Sequence, residues 1–169
     1  LFIIILRQFA GILNIYGYEF RGATALFVVQ MNNDLLTTES TRKTGGCMHH
    51  IGIDILRLGR LRPMDGQWDD PFFRRTFTAS EQQHCQAQPQ PLMAYAGMFA
   101  AKEAVFKALA LPPDQVRLQH IEVSHGENGE PLVTLLPPLD SMAAEKGITH
   151  IALSISYETD MAAAMAIAE

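Results

Sequence analysis

The sequence predicts an α+β fold in which an antiparallel sheet packs on a long helix. Residues 92–110 form a continuous helix-favouring segment rich in Ala, Leu, Met and Lys. In residues 50–56, and again from residue 116 onward, residue types alternate with the period of two that is typical of strands. Short turns join the C-terminal strands in pairs, which favours antiparallel pairing. With 169 residues, the chain is long enough for one core of ordinary size but short for two full domains.

The first 47 residues differ from the rest of the chain. Residues 1–31 are apolar in bursts, but three charged side chains interrupt the run of about 20 apolar residues that a transmembrane helix needs. Residues 32–47 are polar and close on two glycines, as linkers do. We therefore predict an N-terminal extension of unknown order over 1–47, a folded domain over 48–169, and no membrane partner. The extension either packs on the domain or belongs to no fold.

Charge divides the chain at the same boundary. Residues 1–47 carry four Lys or Arg and three Asp or Glu (net +1), whereas residues 48–169 carry nine and fifteen (net −6). An acidic domain argues against a surface built to hold nucleic acid. Cys47 and Cys85 are too few for a disulfide framework and lack the paired spacing of a zinc site. A reducing cytoplasm fits this cysteine usage best.

The domain is predicted to begin with a strand over residues 50–56. Small and acidic residues alternate there with β-branched ones, and Asp54 is expected near the end of the strand. Farther along, Thr78 and Glu81 have the spacing of a capping box, in which the hydroxyl and the carboxylate bind free backbone N–H groups. A short helix is therefore expected to start at this point.

The long helix is predicted over residues 92–110. Pro91 suits its first turn, and the prolines at 112–113 end it. The residues expected to face the core recur at helical spacing, and they are Leu92, Tyr95, Phe99, Val105, Phe106 and Leu109.

In the C-terminal third, the residue pattern changes from helical spacing to the alternation of two that is typical of strands. Residues 116–136 read as a β-hairpin that turns at Asn128-Gly129. A short helix is predicted over 139–146, and residues 149–169 read as two further strands joined by a short turn. The last strand is rich in alanine, but its alternating context favours a strand over a helix.

Three acidic residues lie in otherwise apolar or structured context, namely Asp54, Glu81 and Glu103. Oxygen ligands of this kind suit Mg²⁺, which takes one or two carboxylates and fills its octahedron with water and phosphate oxygens. Lys102 and Lys107 lie on different sides of the helix, so at least one of them could neutralise a bound phosphate. Alternatively, Glu103 and Lys107 form a surface ion pair at i, i+4 worth about 0.3–0.5 kcal/mol.

Five arginines fall within nineteen residues of this acidic domain. Such a cluster would attract an acidic partner in a salt-dependent way. The alternative is a solvated face that nearby aspartates balance. Trp68 and the two phenylalanines at 72–73 lie in the same region and serve either as an interface anchor or as core residues. The cluster consists of Arg57, Arg60, Arg62, Arg74 and Arg75.

Seven motifs follow one another in a fixed order between Met48 and Glu169. They are Gly52-Ile53-Asp54-Ile55, Arg60, Phe72-x-x-Arg75-x-Phe77-Thr78-x-x-Glu81, Phe99-Ala100-Ala101-Lys102-Glu103-Ala104-x-x-Lys107-Ala108, Ile121-Glu122-Val123, Asn128-Gly129-x-Pro131 and Leu153-Ser154-Ile155-Ser156. Their order, their spacing and the total length resemble those of the holo-acyl-carrier-protein synthases, the short 4′-phosphopantetheinyl transferases. The fourth motif combined with the first is specific, whereas the others are weak individually.

This resemblance implies an enzyme with the 4′-phosphopantetheinyl transferase fold. Such an enzyme transfers 4′-phosphopantetheine from its substrate coenzyme A to a serine of an apo acyl carrier protein. The reaction depends on Mg²⁺, releases adenosine 3′,5′-bisphosphate and serves fatty acid biosynthesis. Because the attacking serine belongs to the carrier, no nucleophile motif is expected in this chain. Small members of the family are homotrimers with sites between subunits, so the same assembly is expected.

The resemblance also implies roles for individual residues. Asp54 and Glu103 would bind the Mg²⁺ that holds the pyrophosphate, Glu103 would act as general base, and Lys107 would stabilise charge on the bridging and leaving oxygens. Arg60 and Arg75 would meet the acidic helix of the carrier protein. The residues expected to contact coenzyme A are Lys102, Lys107, Asn128, Gly129, Pro131, Ser156 and Tyr157.

Three positions depart from the family's usual pattern. Tyr157 replaces a histidine, Met98 replaces an arginine and Phe106 replaces a small polar residue. The first two substitutions remove groups that would carry positive charge near the cofactor. The three departures together motivate an alternative function, in which a diverged, non-catalytic domain binds a carrier protein or coenzyme A.

Overall fold

The structure, a computed structural model, describes residues 13–20, 23–31 and 49–169. The chain divides into two compact units, Leu1–Gly46 and Cys47–Glu169. In the first unit, β1 (Leu13–Phe20) and β2 (Ala23–Met31) pair as an antiparallel hairpin. The predicted linker over 32–47 lies outside the described residues. The order of the extension and the boundary at residue 48 stay predictions.

The second unit follows the predicted order of strands and helices, with one additional short helix after the first strand. A 3₁₀ turn at Leu58–Arg60 follows its first strand. The elements are β3 (His50–Arg57), α1 (Pro71–Thr76), α2 (Ala79–Gln86), α3 (Pro91–Leu109), β4 (Ile121–His125), β5 (Pro131–Leu135), α4 (Leu139–Glu145), β6 (Ile151–Glu158) and β7 (Met161–Ala168).

The main sheet is antiparallel and has the strand order β3-β7-β6. β4 and β5 form a separate two-stranded sheet. Helix α3 packs across β3 and β7, and the buried face of β7 consists of alternate alanines. Because alanine side chains are short, the helix axis approaches the sheet closely. The predicted α+β class, with an antiparallel sheet on a long helix, is confirmed.

Local signals set the ends of the helices. Thr78 and Glu81 form the predicted capping box at the start of α2, and Pro91 occupies the first turn of α3. Ala110 ends α3 in the left-handed conformation with φ 49°. None of the helices among the described residues is long and apolar enough to cross a membrane.

An aromatic cluster fills the core beside α3. The ring of Trp68 lies 5.0 Å from that of Tyr95 and 5.2 Å from that of Phe73, and Phe73 itself is fully buried. Phe72 contacts Phe73 and Phe99 at the edge of the cluster. Phe73 is therefore a core residue, and Trp68 and Phe72 are partly buried against the core, which favours the core role over the interface anchor.

Three local predictions need correction. Asp54 lies in the middle of β3 rather than near its end, since pairing with β7 continues to Arg57. The predicted hairpin over 116–136 is shorter, because its first residues lead into a 3₁₀ turn and β4 starts only at Ile121. The short helix α1 was not predicted. Its N-cap is Asp70, whose carboxylate accepts from the N–H of Phe72.

Candidate active site

Asp54 points from β3 toward α3. Side chains along β3 alternate between exposed and buried, so that Gly52, Asp54 and Leu56 face the helix. Gly52 allows the close approach of the two elements. A Cβ atom at this position would lie 1.9 Å from the carbonyl oxygen of Ala104 and 2.6 Å from the amide nitrogen of Ala108. The carboxylate of Asp54 is therefore held beneath α3 and is only 5% exposed.

Lys107 supplies the cation of the site. Its Nζ atom donates to Oδ1 of Asp54 and to the carbonyl oxygen of Ile53, each at 2.8 Å. Both charged side chains are largely enclosed. Lys107 therefore pairs with the carboxylate of β3. The surface ion pair between Glu103 and Lys107, which the sequence left open, is not the arrangement found.

Glu103 lies one helical turn before Lys107 and is 8% exposed. Its Oε2 atom is buried and has no hydrogen-bond partner among the described residues. Burial, and second the negative charge of Asp54, raise the pKa of Glu103 from 4.5 to about 7, although Lys107 and Arg60 oppose this change. The site thus contains a carboxylate that accepts a proton near neutral pH and has a free acceptor atom.

Asp54 and Glu103 together have the donor set of a magnesium site. Among the described residues, no group of three or more His, Cys, Asp or Glu side chains is arranged to hold a metal. A pair of carboxylates suits Mg²⁺, because this ion keeps several waters and binds substrate phosphates as well. The unpartnered Oε2 atom of Glu103 would gain a partner from such an ion. The residues present therefore fit Mg²⁺.

Lys102 does not belong to this group of residues. Its side chain is fully buried, and its Nζ atom lies 2.7 Å from Oε2 of Glu81. It also donates to the carbonyl oxygens of Leu118 and Ile121. Burial lowers the pKa of Lys102, and the charge of Glu81 opposes that effect. An ammonium group with three partners and no exposed surface is unsuited to bind coenzyme A, so the geometry contradicts that prediction.

The arginines of the predicted partner surface are exposed. Arg60 ends the 3₁₀ turn and lies close enough to Glu103 to influence its pKa, and Arg75 lies in the last turn of α1. Within the described part of the chain, the arginine cluster forms one ion pair, in which Arg57 lies 3.4 Å from Asp160. Among the described residues, Asp65, Asp69 and Asp70, the aspartates nearest in sequence, form no ion pair with the cluster, which favours the interpretation as a binding surface.

The remaining residues predicted to contact coenzyme A lie on other elements than the acid pair. Asn128 and Gly129 form the exposed turn between β4 and β5, where Gly129 has φ +82°, and Pro131 begins β5. Ser156 and Tyr157 lie on β6, which β7 separates from β3. Two strand spacings amount to about 10 Å. β7 therefore lies between Asp54 and the two predicted residues of β6.

Comparisons with known proteins identify the family of this chain. A family model described as 4′-phosphopantetheinyl transferase superfamily matches residues 50–166. The chain belongs to this superfamily. The holo-[acyl-carrier-protein] synthase of Desulforudis audaxviator is 38% identical over 118 residues, which cover 70% of this chain and 90% of that protein. The enzyme of the same name from Halothermothrix orenii is 34% identical over 119 residues, covering 70% and 95%.

Solved structures of superfamily members are similar as well. The holo-[acyl-carrier-protein] synthase of Neisseria meningitidis matches with a TM-score of 0.64 and 31% identity, covering 71% of this chain and 97% of that one. The Helicobacter pylori enzyme in complex with coenzyme A matches with a TM-score of 0.61 and 28% identity, covering 70% and 99%. The predictions of the family, of its fold and of an enzyme are confirmed.

Two of the positions that depart from the usual pattern of the superfamily lie in one cavity. Met98 and Tyr157 line a cleft of about 490 Å³, together with the stacked rings of His84 and His125. The Tyr157 ring lies over Gly97, where a Cβ atom would approach its hydroxyl oxygen to within 2.3 Å. Neither Met98 nor Tyr157 carries a positive charge, so a bound phosphate would need its counter-charge from elsewhere.

Proposed function

We propose that this enzyme transfers 4′-phosphopantetheine from coenzyme A to a serine hydroxyl of an apo acyl carrier protein. The serine oxygen forms a bond to the phosphorus that carries the pantetheine. The bond from that phosphorus to the bridging oxygen breaks, and adenosine 3′,5′-bisphosphate leaves. The convergence of Asp54, Glu103 and Lys107 in a chain of this superfamily carries the proposal.

Asp54 and Glu103 are proposed to hold a magnesium ion. When bound, the ion neutralises negative charge on the pyrophosphate of coenzyme A. Lys107 adds a second positive charge one helical turn from Glu103, where it stabilises charge that develops on the bridging oxygen. Phosphoryl-type transfer depends mainly on such positioning and neutralisation, which supports the assignment of these three residues.

Glu103 is the candidate for the general base. Because Oε2 is the atom assigned to the ion, the other carboxylate oxygen would accept the serine proton. Burial raises the pKa of the metal-free carboxyl to about 7, a range that suits proton transfer near neutral pH. The chain itself needs no nucleophile, because the serine belongs to the carrier protein.

Arg60 and Arg75 are proposed to bind the acidic surface of the carrier protein. Both are exposed, and Arg60 lies next to the acid pair. A carrier docked on these arginines would bring its serine to the place where the pyrophosphate is held. Attraction of this kind raises the encounter rate and weakens with salt.

A homotrimer with sites between subunits is the proposed assembly. The outer face of β3 exposes Ile51, Ile53 and Ile55, each by more than half of its surface, and Met165 on β7 extends this apolar face. Such a continuous apolar face is typical of protein interfaces. A cytoplasmic location stays a prediction, with which the free, buried thiol of Cys85 is compatible.

The decisive experiment measures the mass of the carrier protein. We expect a mass gain equal to one phosphopantetheine after incubation with coenzyme A, Mg²⁺ and enzyme. Glu103→Gln should abolish the gain, whereas Glu145→Gln, at an exposed position of α4, should not. Unchanged turnover in Glu103→Gln would exclude this residue from the mechanism. Chelation of the metal without loss of activity would exclude a role for Mg²⁺.

The alternative is a non-catalytic domain that binds a carrier protein or coenzyme A. The observation in its favour is the uncharged lining that Met98 and Tyr157 give to their cleft. The same assay separates the two functions. A carrier protein that binds to the enzyme in titration calorimetry but gains no mass at saturating coenzyme A would favour the binding domain.

A further inference from the structure

The proposed reaction makes no use of a buried ion pair that joins α2 to α3. Nζ of Lys102 lies 2.7 Å from Oε2 of Glu81, and both side chains are fully enclosed. The charged groups are satisfied further by backbone partners, which are the carbonyl oxygens of Leu118 and Ile121 and the N–H groups of Thr78 and Val123. The pair therefore ties α3 both to α2 and to the segment that leads into β4.

Stability alone is a weak explanation for this ion pair. Removing two charges from water is costly, and a hydrophobic pair of similar volume is often equally stable. Buried ionic groups are better attested as devices that select one arrangement among several. The question is which arrangement the pair between Glu81 and Lys102 selects.

Gly52 and the Lys107–Asp54 ion pair hold α3 against β3, but the contact of α3 with β7 adds little to the definition of the helix rotation. Small residues form both sides of this contact, so few projecting side chains interlock. They are Ala100, Ala104 and Ala108 on α3 and Ala162, Ala164 and Ala166 on β7, all of them buried. Lys102 lies on another face of α3, and its carboxylate partner fixes its direction.

Lys102 and Glu103 are consecutive in the helix, so their directions differ by about 100° and are rigidly linked. A carboxylate lies about 5–6 Å from the helix axis, so that a rotation by about 20° would move it by about 2 Å. Metal-ligand distances tolerate only about 0.2 Å. Small rotations of α3 would therefore separate Glu103 from an ion that Asp54 also binds.

We propose that the Glu81–Lys102 ion pair is a positioning device that sets the rotation of α3 and so directs the Glu103 carboxylate toward Asp54. This inference rests on the proposed magnesium site. In this role neither residue of the pair contacts substrate, because both act through the helix backbone. Lys102, which was predicted to contact coenzyme A, instead orients the residue that follows it.

The principal variant is the double substitution Glu81→Gln/Lys102→Met in the full chain. It removes both charges together and keeps an amide oxygen as acceptor for the N–H of Val123, so no buried charge is left alone. Mn²⁺ serves as the probe and is titrated calorimetrically without coenzyme A, under conditions in which circular dichroism and urea unfolding show the variant to be folded. We expect Mn²⁺ affinity to fall about 10- to 100-fold, as for other residues that orient metal ligands.

Two further variants make the result specific. Glu81→Asp keeps both charges but shortens the acidic side chain by one methylene group. It should weaken Mn²⁺ binding about tenfold even if the double variant fails to fold. Lys146→Met is the control, because Lys146 donates to the carbonyl oxygens of Leu109 and Ala110 at the other end of α3. We expect its Mn²⁺ affinity to equal that of the unsubstituted protein.

The outcomes separate this inference from the proposed function. Unchanged Mn²⁺ affinity in the folded Glu81 and Lys102 variants would overturn the positioning role and leave the magnesium site standing. An equal loss in Lys146→Met would also overturn it, since any loosening of α3 would then disturb the site. If the unsubstituted protein binds no Mn²⁺, the magnesium site itself is refuted, and the positioning role with it.

Discussion

Replacing Gly52 with alanine tests whether the close contact between β3 and α3 builds the site. The added Cβ atom would lie 1.9 Å from the carbonyl oxygen of Ala104 and 2.9 Å from Cβ of Lys107, whereas ordinary contact begins at 3.4 Å. The nearest atom belongs to helix backbone and cannot rotate away. We therefore expect α3 to move from β3 by about 1.5 Å, at a cost near the upper end of the about 1–3 kcal/mol typical of overpacking.

That displacement separates Asp54 from the two site residues of α3. We expect urea unfolding to report the loss of stability, and transfer of phosphopantetheine to fall about 100-fold, as displacements near 1 Å do in other enzymes. Gly59→Ala is the matched control, because no atom in the described part of the chain lies within 4 Å of its added Cβ atom. Its stability should stay within about 0.5 kcal/mol of the unsubstituted protein. A Gly52→Ala enzyme with normal stability and turnover would refute the reasoning.

Four further predictions concern charge and backbone. Because the pKa of Glu103 is raised from 4.5 to about 7, the contribution of this residue to the stability of the metal-free protein should be fully present below pH 4.5 and be lost, on the order of 3 kcal/mol, as pH rises through 7. Urea unfolding of Glu103→Gln should lack this loss, and an identical pH profile would contradict the assignment. Arg60→Glu should weaken carrier binding about tenfold in a low-salt titration without changing affinity for coenzyme A, whereas Arg117→Glu should change neither. Ala110→Gly should raise the unfolding free energy by about 0.5–1 kcal/mol, since Ala110 has φ 49°, and a destabilised variant would contradict this. Lys102→Met alone should lower it by about 3–5 kcal/mol, because a buried carboxylate loses its partner, and a loss below about 1 kcal/mol would show that water reaches the pair.

Elements with local signals were predictable from the sequence. The capping box at Thr78 and the proline at position 91 each act within one or two turns, so the starts of α2 and α3 followed directly. The final hairpin followed from alternation, although its last strand is rich in alanine. In each case the interaction that decides the structure lies within a few residues of the pattern that predicts it.

Tertiary contacts decided what local patterns could not. Alternation predicted a strand from residue 116, but the carbonyl of Leu118 accepts from Lys102 and the side-chain amide of Gln119 donates to the carbonyl of Arg74. These groups bind to helices rather than to a neighbouring strand, so the chain turns there until β4 begins. The partners lie sixteen and forty-five positions away along the sequence, farther than a local sequence pattern extends.

The two lysines of α3 show the same limit at the site. Their spacing predicted that Lys102 and Lys107 lie on different sides of the helix, which the structure bears out, but spacing does not say which side faces the acid pair. Gly52 decides it, because the strand can approach α3 closely only beside residues 104–108, and this brings Lys107 to Asp54. Lys102 then faces α2, where Glu81 both caps its own helix and neutralises the buried lysine. A glycine and a capping glutamate, each predictable as local features, therefore determine together which lysine serves the chemistry and which one orients it.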